Sequence, residues 1–331
     1  MKFKYNTSLD SIRGLAILMV VISHLCTNSY IYGLKDYKML GNYDMSFAFL
    51  ADGGVLLFFY LSGFLIYQSL QGEDLKTFII KRFLRIFPPY WISIFTVFIV
   101  SILFSFIPHY DLQSYIINFF MLHDILRTQT QTLNGVFWSL LIEIKFYIFI
   151  AVMFYFFMKK ENTLVYVYLN VLIVGLLLYF LKSNTPSAFF TWFPSFFIGI
   201  FIFLYYHKHF SLYKLFYLIS VYAIYLFIIK GFQELLLYSI FNSVLFLLFL
   251  RFNISSKVFN FFGKISYSLY LLHTTISYPL LYLMTKYISP DFIFFKIIVA
   301  FLISIALSYI SYIYIENIHK NYVNWKFKCK N

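Results

Sequence analysis

Charged residues are scarce in this sequence, and their scarcity limits where the chain can fold. Only 12% of the 331 residues are charged, whereas 62% are hydrophobic, with 31 tyrosines and 45 phenylalanines. A soluble domain of this length cannot bury so much apolar surface, so a lipid bilayer must cover much of it. The composition therefore excludes an ordinary soluble enzyme.

Cysteine is also rare, and the usual motifs of soluble catalysis are missing. Cys26 and Cys329 are the two cysteines, and the topology predicted below puts them near opposite membrane faces, which argues against a disulfide. The sequence contains no glycine-rich phosphate loop, zinc-ligand spacing or G-x-S-x-G elbow. These absences disfavour ATP-driven, metal-dependent and soluble-hydrolase chemistries, and we expect no bound metal.

Long apolar runs are abundant and indicate membrane-spanning helices. Each run is long enough for a helix to cross a hydrocarbon core of ~30 Å, and too long and uniformly apolar for barrel strands. We place ten spans at 11–31, 47–69, 86–107, 136–158, 163–181, 189–206, 212–230, 234–251, 264–285 and 293–315. The sequence predicts an all-α, polytopic membrane protein with about ten transmembrane helices in a single domain over residues 1–331.

The net charge of +13 is explained by membrane topology, without nucleic acid as a partner. With the N-terminus inside, eighteen of the 26 basic residues fall on the cytoplasmic side, as the positive-inside rule requires. Both termini are then cytoplasmic, and residues 317–331 form a basic cytoplasmic tail.

The loop 108–135 lies outside and carries the short apolar piece "SYIINFFMLHDIL". We expect this piece to form an interfacial or re-entrant helix, in a loop that either roofs a site or only connects two spans.

The first span, "DSIRGLAILMVVISHL", contains an arginine and a histidine that a purely structural span would not need. Arg13 and His24 are eleven residues apart, so they share a helix face and are separated by roughly 16 Å along the axis. Asp10 can pair with Arg13. Arg13 could be a cytoplasmic-edge anchor and His24 an interhelical hydrogen-bond partner, but ionisable residues inside a span are more often functional.

Two further segments contain candidate binding residues. The second span has small residues, including Ser62, that favour close helix packing, and Asp52 could be a water-facing cap near its outer edge. In "KRFLRIFPPYW", Arg82 and Arg85 are at i and i+3, and the two prolines are expected to bend or restart the helix. The two guanidinium groups suit phosphate recognition, with inner-surface anchoring as the alternative.

The last two candidate segments place polar residues inside spans. Glu143 and Lys145 of "FWSLLIEIKFYIF" are too close in sequence to pair on one helix face, so each needs a partner elsewhere. Glu143 is at about the depth of His24 and could orient it or act with it as an acid–base pair, with buried structural pairing as the alternative. Ser266, Tyr270 and His273 form one polar stripe that either hydrogen-bonds within the core or lines a cavity.

The order of these segments resembles that of membrane acyltransferase family 3, the integral-membrane O-acyltransferases that act on cell-surface glycans. "LDSIRGLAILMVVISHL" resembles the family's opening segment, "LFFYLSGFLI" is similar to its Phe-Phe-x-x-Ser-Gly-Phe stretch, and "RFLR" matches its Arg-x-x-Arg motif. "WSLLIEIKFY", with Trp138, Ser139 and Tyr147, resembles the Trp-Ser-Leu-x-x-Glu-x-x-Phe-Tyr motif, and "GKISYSLYLLH" resembles the near-terminal segment.

The resemblance implies an acyl-CoA donor, acetyl-CoA in the first instance, and a hydroxyl acceptor on an extracytoplasmic glycan or lipid-linked saccharide. It also implies a multi-pass protein of the bacterial cytoplasmic (inner) membrane that contacts membrane lipids. On this hypothesis His24 and Glu143 are catalytic, Arg13, Arg82 and Arg85 bind the cofactor-like donor, and the remaining candidates bind substrate or support the site. The remaining candidates are Asp10, Asp52, Ser62, Trp138, Ser139, Tyr147, Ser266, Tyr270 and His273.

Two other functions fit the same buried charges. A glycolipid or polysaccharide transporter or flippase could use them to line a permeation route, although the symmetric broken helices typical of such proteins are not apparent. An assembly partner without turnover is the third reading.

Overall fold

A computed structural model describes residues 6–27, 47–104, 109–123, 132–157, 161–182, 187–231 and 233–317. Within these ranges the chain forms eleven α-helices and no β-strand. The helices are α1 (Thr7–Cys26), α2 (Ala48–Leu70), α3 (Leu75–Leu103), α4 (Leu112–Phe119), α5 (Phe137–Val152), α6 (Glu161–Leu181), α7 (Ala188–Tyr206), α8 (Leu212–Lys230), α9 (Gln233–Arg251), α10 (Lys257–Tyr287) and α11 (Ile293–Ser311). Helices α5 and α11 continue as π-helical turns over Met153–Phe157 and Tyr312–Glu316.

The predicted all-α membrane architecture is confirmed. Each of the ten predicted spans falls on one of the ten long helices, and eight described helices are long and apolar enough to cross a membrane. The apolar part of α9, Leu235–Arg251, is shorter, and α10 is not among the eight although it is 31 residues long. The cytoplasmic orientation of the termini stays a prediction, and of the basic tail all but Asn317 lies outside the described residues.

Helix α3 corrects one expectation. It begins at Leu75, eleven residues before the predicted span, and it runs without interruption through Pro88 and Pro89 to Leu103. The expected restart at the prolines is therefore wrong. Arg82 and Arg85 are helical and one turn apart, as predicted, because the charged first turns extend the helix beyond its apolar part.

The predicted short helix in the loop 108–135 is α4, although residues 124–131 and 108 lie outside the described part of the chain. Its N-cap is Asp111, whose side chain accepts a hydrogen bond from the backbone N–H of Ser114 at 2.9 Å. Hydrogen bonds from Ser114 lower the pKa of Asp111. This cap explains where α4 begins, because it satisfies one of the first N–H groups of the helix.

The residues group into two compact units that alternate along the chain, and the single-domain prediction stays a prediction. The first unit comprises Met1–Ala16, Asp52–Phe78 and Ile142–Gly263, and the second comprises Ile17–Ala51, Ile79–Leu141 and Lys264–Asn331.

The first unit is built around α7, in which every residue from Thr191 to Leu204 is buried. Glycines bring α2 and α7 together: a Cβ on Gly63 would lie 1.9 Å from the carbonyl oxygen of Phe196, and one on Gly199 would lie 1.9 Å from that of Tyr60. Phe146 of α5 stacks on Phe196 with ring centroids 4.2 Å apart. Close backbone contact and aromatic packing therefore form this core.

The second unit is held together by hydrogen bonds between helices. The Tyr90 hydroxyl of α3 donates to the carbonyl oxygen of Asn118 in α4 at 2.7 Å, and Tyr267 of α10 donates to that of Ile86 in α3 at 2.9 Å. Trp91 stacks on Phe119 with ring planes 6° apart. Helix α4 is thus packed on α3 and is not a loose connector.

Candidate active site

A pair of histidines lies in the second unit. Nε2 of His273 in α10 is 3.1 Å from Nδ1 of His24 in α1, and the ring centroids are 5.0 Å apart. His273 has no exposed surface, whereas His24 is half-buried. The sequence predicted both residues as candidates but did not pair them.

Backbone carbonyl oxygens lie within hydrogen-bond distance of Nδ1 of each histidine. Nδ1 of His273 is 3.0 Å from the carbonyl oxygen of Leu269 and 2.8 Å from that of Tyr270. Nδ1 of His24 is 3.0 Å from the carbonyl oxygen of Val20. A carbonyl oxygen can only accept, so these contacts constrain which nitrogen carries hydrogen.

Asn134, in the segment before α5, fixes α10 on both sides of His273. Its Nδ2 donates to the carbonyl oxygen of Leu271 at 3.2 Å and to Oγ1 of Thr275 at 3.0 Å. Its Oδ1 accepts from Thr274 Oγ1 at 2.9 Å and from the backbone N–H of Val136 at 3.1 Å. A buried amide with this many partners rigidifies the helix that carries the histidine.

The predicted stripe on α10 is buried and forms part of the same network. Ser266, Tyr270 and His273 are all buried, and the Tyr270 hydroxyl lies 2.6 Å from Oγ of Ser139 in α5. Tyr270 and Ser139, two predicted site residues, are therefore in direct contact. Trp138 is the neighbour of Ser139 on the first turn of α5 and is half-buried.

Glu143 belongs to the first unit, where two other predicted residues surround it. The Ser62 hydroxyl of α2 donates to its Oε1 at 2.5 Å, and the Tyr147 hydroxyl, one turn along α5, donates to the same oxygen. The close approach of α2 and α7 next to Ser62 fixes the serine in place. The predicted role of Glu143 as an orienter of His24 stays a prediction.

Lys145 and Asp52 are two other polar residues of the first unit that the sequence singled out. Lys145, which the sequence expected to need a partner on another helix, lies with Nζ 5.7 Å from the ring centroid of Phe189 in α7. Asp52 is exposed on the second turn of α2, so it lies within the helix and does not cap it.

The predicted donor-binding arginines are all on helices. Arg13 of α1 pairs with Asp10 at 3.0 Å, as expected, and both side chains are mostly buried. Ser11, between them, donates to Oδ1 of Asn260 at 2.5 Å, which ties this end of α1 to the start of α10. Arg82 and Arg85 are half-buried on α3. The predicted grouping of all three arginines at one phosphate site stays a prediction.

Sequence reasoning missed Asn134 and Glu316, two buried polar residues that bond to α10. Asn134 lies in the polar tract "RTQTQTLNG", which has no helical period to assign it to a face. Glu316, in the π-helical turn after α11, accepts hydrogen bonds from the backbone N–H of Ser268 at 3.0 Å and from its hydroxyl at 2.5 Å. Glu316 is a carboxylate at the end of an apolar span, and this position was the signal in the sequence that could have indicated its burial.

Among the described residues, no cluster of His, Cys, Asp and Glu could hold a metal ion.

The fold and these polar clusters define a multi-pass membrane protein in which a half-buried imidazole contacts a fully buried one. A family model described as an acyltransferase domain, that of acyltransferase family 3, matches residues 6–313. The match covers nearly the whole chain, so the chain belongs to this family, and it is an acyltransferase.

One curated relative supports the same class. A protein of Acidianus two-tailed virus, whose curated name describes it provisionally as an acetyltransferase, is 27% identical over 293 residues. The alignment covers 82% of this chain and 84% of the viral protein. No solved structure matches the chain significantly.

Proposed function

We propose that this protein is a membrane O-acyltransferase that transfers acetyl from acetyl-CoA to a hydroxyl group of an extracytoplasmic glycan or lipid-linked sugar. The observation that carries the proposal is the half-buried imidazole of His24, in contact with a fully buried second histidine, in a chain of an acyltransferase family. An imidazole is the side chain best suited to accept a hydroxyl proton near neutral pH.

In the proposed reaction, His24 removes the proton of the acceptor hydroxyl, and the hydroxyl oxygen attacks the carbonyl carbon of the thioester. The new C–O bond forms, the C–S bond breaks, and the imidazolium returns the proton to the departing sulfur. The products are the acetyl ester and free coenzyme A. Transient transfer of the acetyl group onto His24 is the alternative route, and it uses the same imidazole.

The other predicted residues take supporting roles in this proposal. Arg82 and Arg85, one turn apart on α3, would bind the phosphates of coenzyme A from the cytoplasm together with Arg13, because guanidinium groups bind phosphate in a bidentate manner. Glu143, with Ser62 and Tyr147 bonded to it, would orient the imidazole or bind the sugar.

The proposal also fixes a location. The protein would span the bacterial cytoplasmic membrane with both termini inside, so that the donor arrives from the cytoplasm and the acceptor lies on the other side. The slender, uncharged pantetheine arm would reach between the helices to His24.

The test is acetyl transfer by the purified protein in lipid nanodiscs. We expect thiol release from acetyl-CoA in the presence of acceptor, and His24→Ala should lower kcat by at least about 100-fold, the lower range of general-base catalysis. His109→Ala, at an exposed histidine outside the site, is the matched control and should keep the wild-type rate.

Mass spectrometry of surface glycans from cells with and without the protein identifies the acceptor through an added ester mass. Undiminished acetylation by a folded His24→Ala variant would rule out the mechanism. Glycan export without any change in ester content would instead support the transporter.

A further inference from the structure

The hydrogen bonds of the histidine pair determine where the protons are. Nδ1 of His273 faces two carbonyl oxygens, those of Leu269 and Tyr270, at 3.0 and 2.8 Å. A lone pair directed at two carbonyl oxygens is repulsive, so Nδ1 of His273 carries hydrogen. The ring is fully buried, which disfavours a positive charge, so its Nε2 carries the lone pair.

The same reasoning extends to His24. Its Nδ1 faces two acceptors, the lone pair of His273 Nε2 at 3.1 Å and the carbonyl oxygen of Val20 at 3.0 Å. Nδ1 of His24 therefore carries hydrogen. In the neutral ring, the lone pair is then on Nε2, which has no hydrogen-bond partner among the described residues.

We infer that His273 is a positioning residue that holds His24 in its Nδ1–H tautomer and thereby directs the basic Nε2 of His24 to the acceptor hydroxyl. The catalytic consequence of this inference rests on the proposed function, whereas the assignment of the tautomer does not depend on it. The hydrogen bonds run in one direction, from His24 Nδ1–H to His273 Nε2 and from His273 Nδ1–H to the α10 backbone.

The hydrogen bond between His24 and His273 stabilises protonated His24 more than it stabilises neutral His24. When His24 accepts the hydroxyl proton at Nε2, its Nδ1–H becomes the donor of a cation, and its hydrogen bond to His273 strengthens. An interaction that is stronger in the transition state than in the ground state raises kcat and leaves donor binding unchanged. A neutral imidazole performs this role without placing a permanent charge among apolar helices.

The packing around His273 supports a role that depends on position. Asn134 bonds to Leu271, Thr274 and Thr275, so α10 is anchored on both sides of the imidazole. The ring is therefore held at a fixed distance from His24, as a positioning residue requires.

The first test is the tautomer of His24 in the wild-type protein, read by ¹⁵N NMR of protein labelled in its histidine rings. The chain has seven histidines, and His24→Ala assigns the His24 signals by their loss. We expect a protonated Nδ1 and an unprotonated Nε2. A protonated Nε2 in neutral His24 would overturn the inference, and this measurement needs no variant at position 273 to fold.

The second test compares His273→Leu, which removes the acceptor, with His273→Gln, whose side-chain oxygen can replace it. In His273→Leu we expect the Nε2–H tautomer of His24 to appear and kcat to fall about 10- to 100-fold, the value of one hydrogen bond to a charged group. The KM for acetyl-CoA should not change, and His273→Gln should recover most of kcat. Ser277→Ala, at a buried serine one turn farther along α10, is the control and should match wild type.

The outcomes separate this inference from the proposed function. If the tautomer depends on His273 but the wild-type protein transfers no acetyl group, the positioning role stands and the proposed function fails. If acetyl transfer occurs and His273→Leu retains both the tautomer and kcat, the inference is wrong. Equal loss of kcat in the Leu and Gln variants with the tautomer intact would also overturn it, because His273 would then be needed only for folding.

Discussion

Helices α7 and α10 are both deeply buried, but they are built from opposite kinds of side chain. Along α7, fourteen consecutive residues from Thr191 to Leu204 are buried, and most are phenylalanine or isoleucine. The buried residues of α10 include a series of polar ones: Ser266, Ser268, His273, Thr274, Thr275 and Ser277.

The difference shows that the two helices are held by different forces. Apolar side chains gain no hydrophobic advantage over lipid, so α7 depends on close backbone contact and ring packing. Polar groups away from water are costly without partners, so α10 depends on hydrogen bonds from α1, α5 and the segment before α5. We interpret α7 as the structural centre of the first unit and α10 as the carrier of the site.

The largest effect is expected where α7 has no room to adapt. In Gly199→Ala, the added Cβ would lie 1.9 Å from the carbonyl oxygen of Tyr60, a backbone atom that no rotamer change can move. We expect the free energy of unfolding to fall by about 3 kcal/mol, the upper end for overpacked sites. Thermal unfolding in detergent, with the yield of monodisperse protein, measures this loss.

Gly135→Ala is the matched control, because no atom of the described residues lies within 4 Å of the Cβ it would add. Its Tm should equal that of wild type. A Gly199→Ala variant as stable as Gly135→Ala would show that α2 and α7 can separate without cost, contrary to the role given to α7.

A smaller effect is expected from Asn134→Ala, which removes the main polar support of α10. The Val136 N–H and the Thr274 hydroxyl would lose the acceptor that the side-chain oxygen of Asn134 supplies. Leaving such buried groups unsatisfied should cost about 2 kcal/mol. Chemical unfolding followed by tryptophan fluorescence tests the change.

Asn170→Ala provides the comparison for that variant, since Asn170 is exposed and its side chain bonds to the backbone of its own helix. It should lower stability by no more than ~0.5 kcal/mol, as is usual for surface substitutions. Equal effects at the two asparagines would contradict the dependence of α10 on its hydrogen bonds.

The sequence predicts helices well here because the bilayer leaves few alternatives. Runs of about 20 apolar residues located all ten long helices of the described part of the chain, and the short apolar piece located α4. The early start of α3 was missed because hydropathy reports the membrane-crossing part of a helix and not its charged extension through Arg82.

Contacts between distant segments were beyond the sequence. His24 and His273 are 249 residues apart, and helical periodicity assigns each to a face of its own helix without saying which helix it meets. The depth argument placed Glu143 level with His24, and its role as an orienter of His24 stays a prediction; the hydrogen bonds that the structure describes for Glu143 go to Ser62 and Tyr147. Depth in the membrane gives the position of a residue along the membrane normal only. Several side chains lie at the same depth, and the packing of the helices decides which of them are in contact.

The smallest expected effect concerns a single hydrogen bond of α10, that between Tyr270 and Ser139. Their oxygens are 2.6 Å apart in a buried site, so Tyr270→Phe, Ser139→Ala and the double variant form a double-mutant cycle. We expect a coupling free energy of about 0.6 kcal/mol and no more than ~1.7 kcal/mol, because the unfolded state in a membrane also finds partners for these groups.

The second unit supplies a matched pair for this cycle. Ser101 and Tyr115 are also a serine and a tyrosine, but their oxygens are 3.3 Å apart and only partly buried. Since a longer and less buried hydrogen bond is weaker, the Ser101–Tyr115 coupling should be the smaller of the two. Chemical unfolding of all six variants measures both values. A larger coupling at Ser101–Tyr115 would mean that burial does not strengthen the hydrogen bonds that hold α10. The contrast between α10 and α7 would then rest only on the other polar contacts of α10.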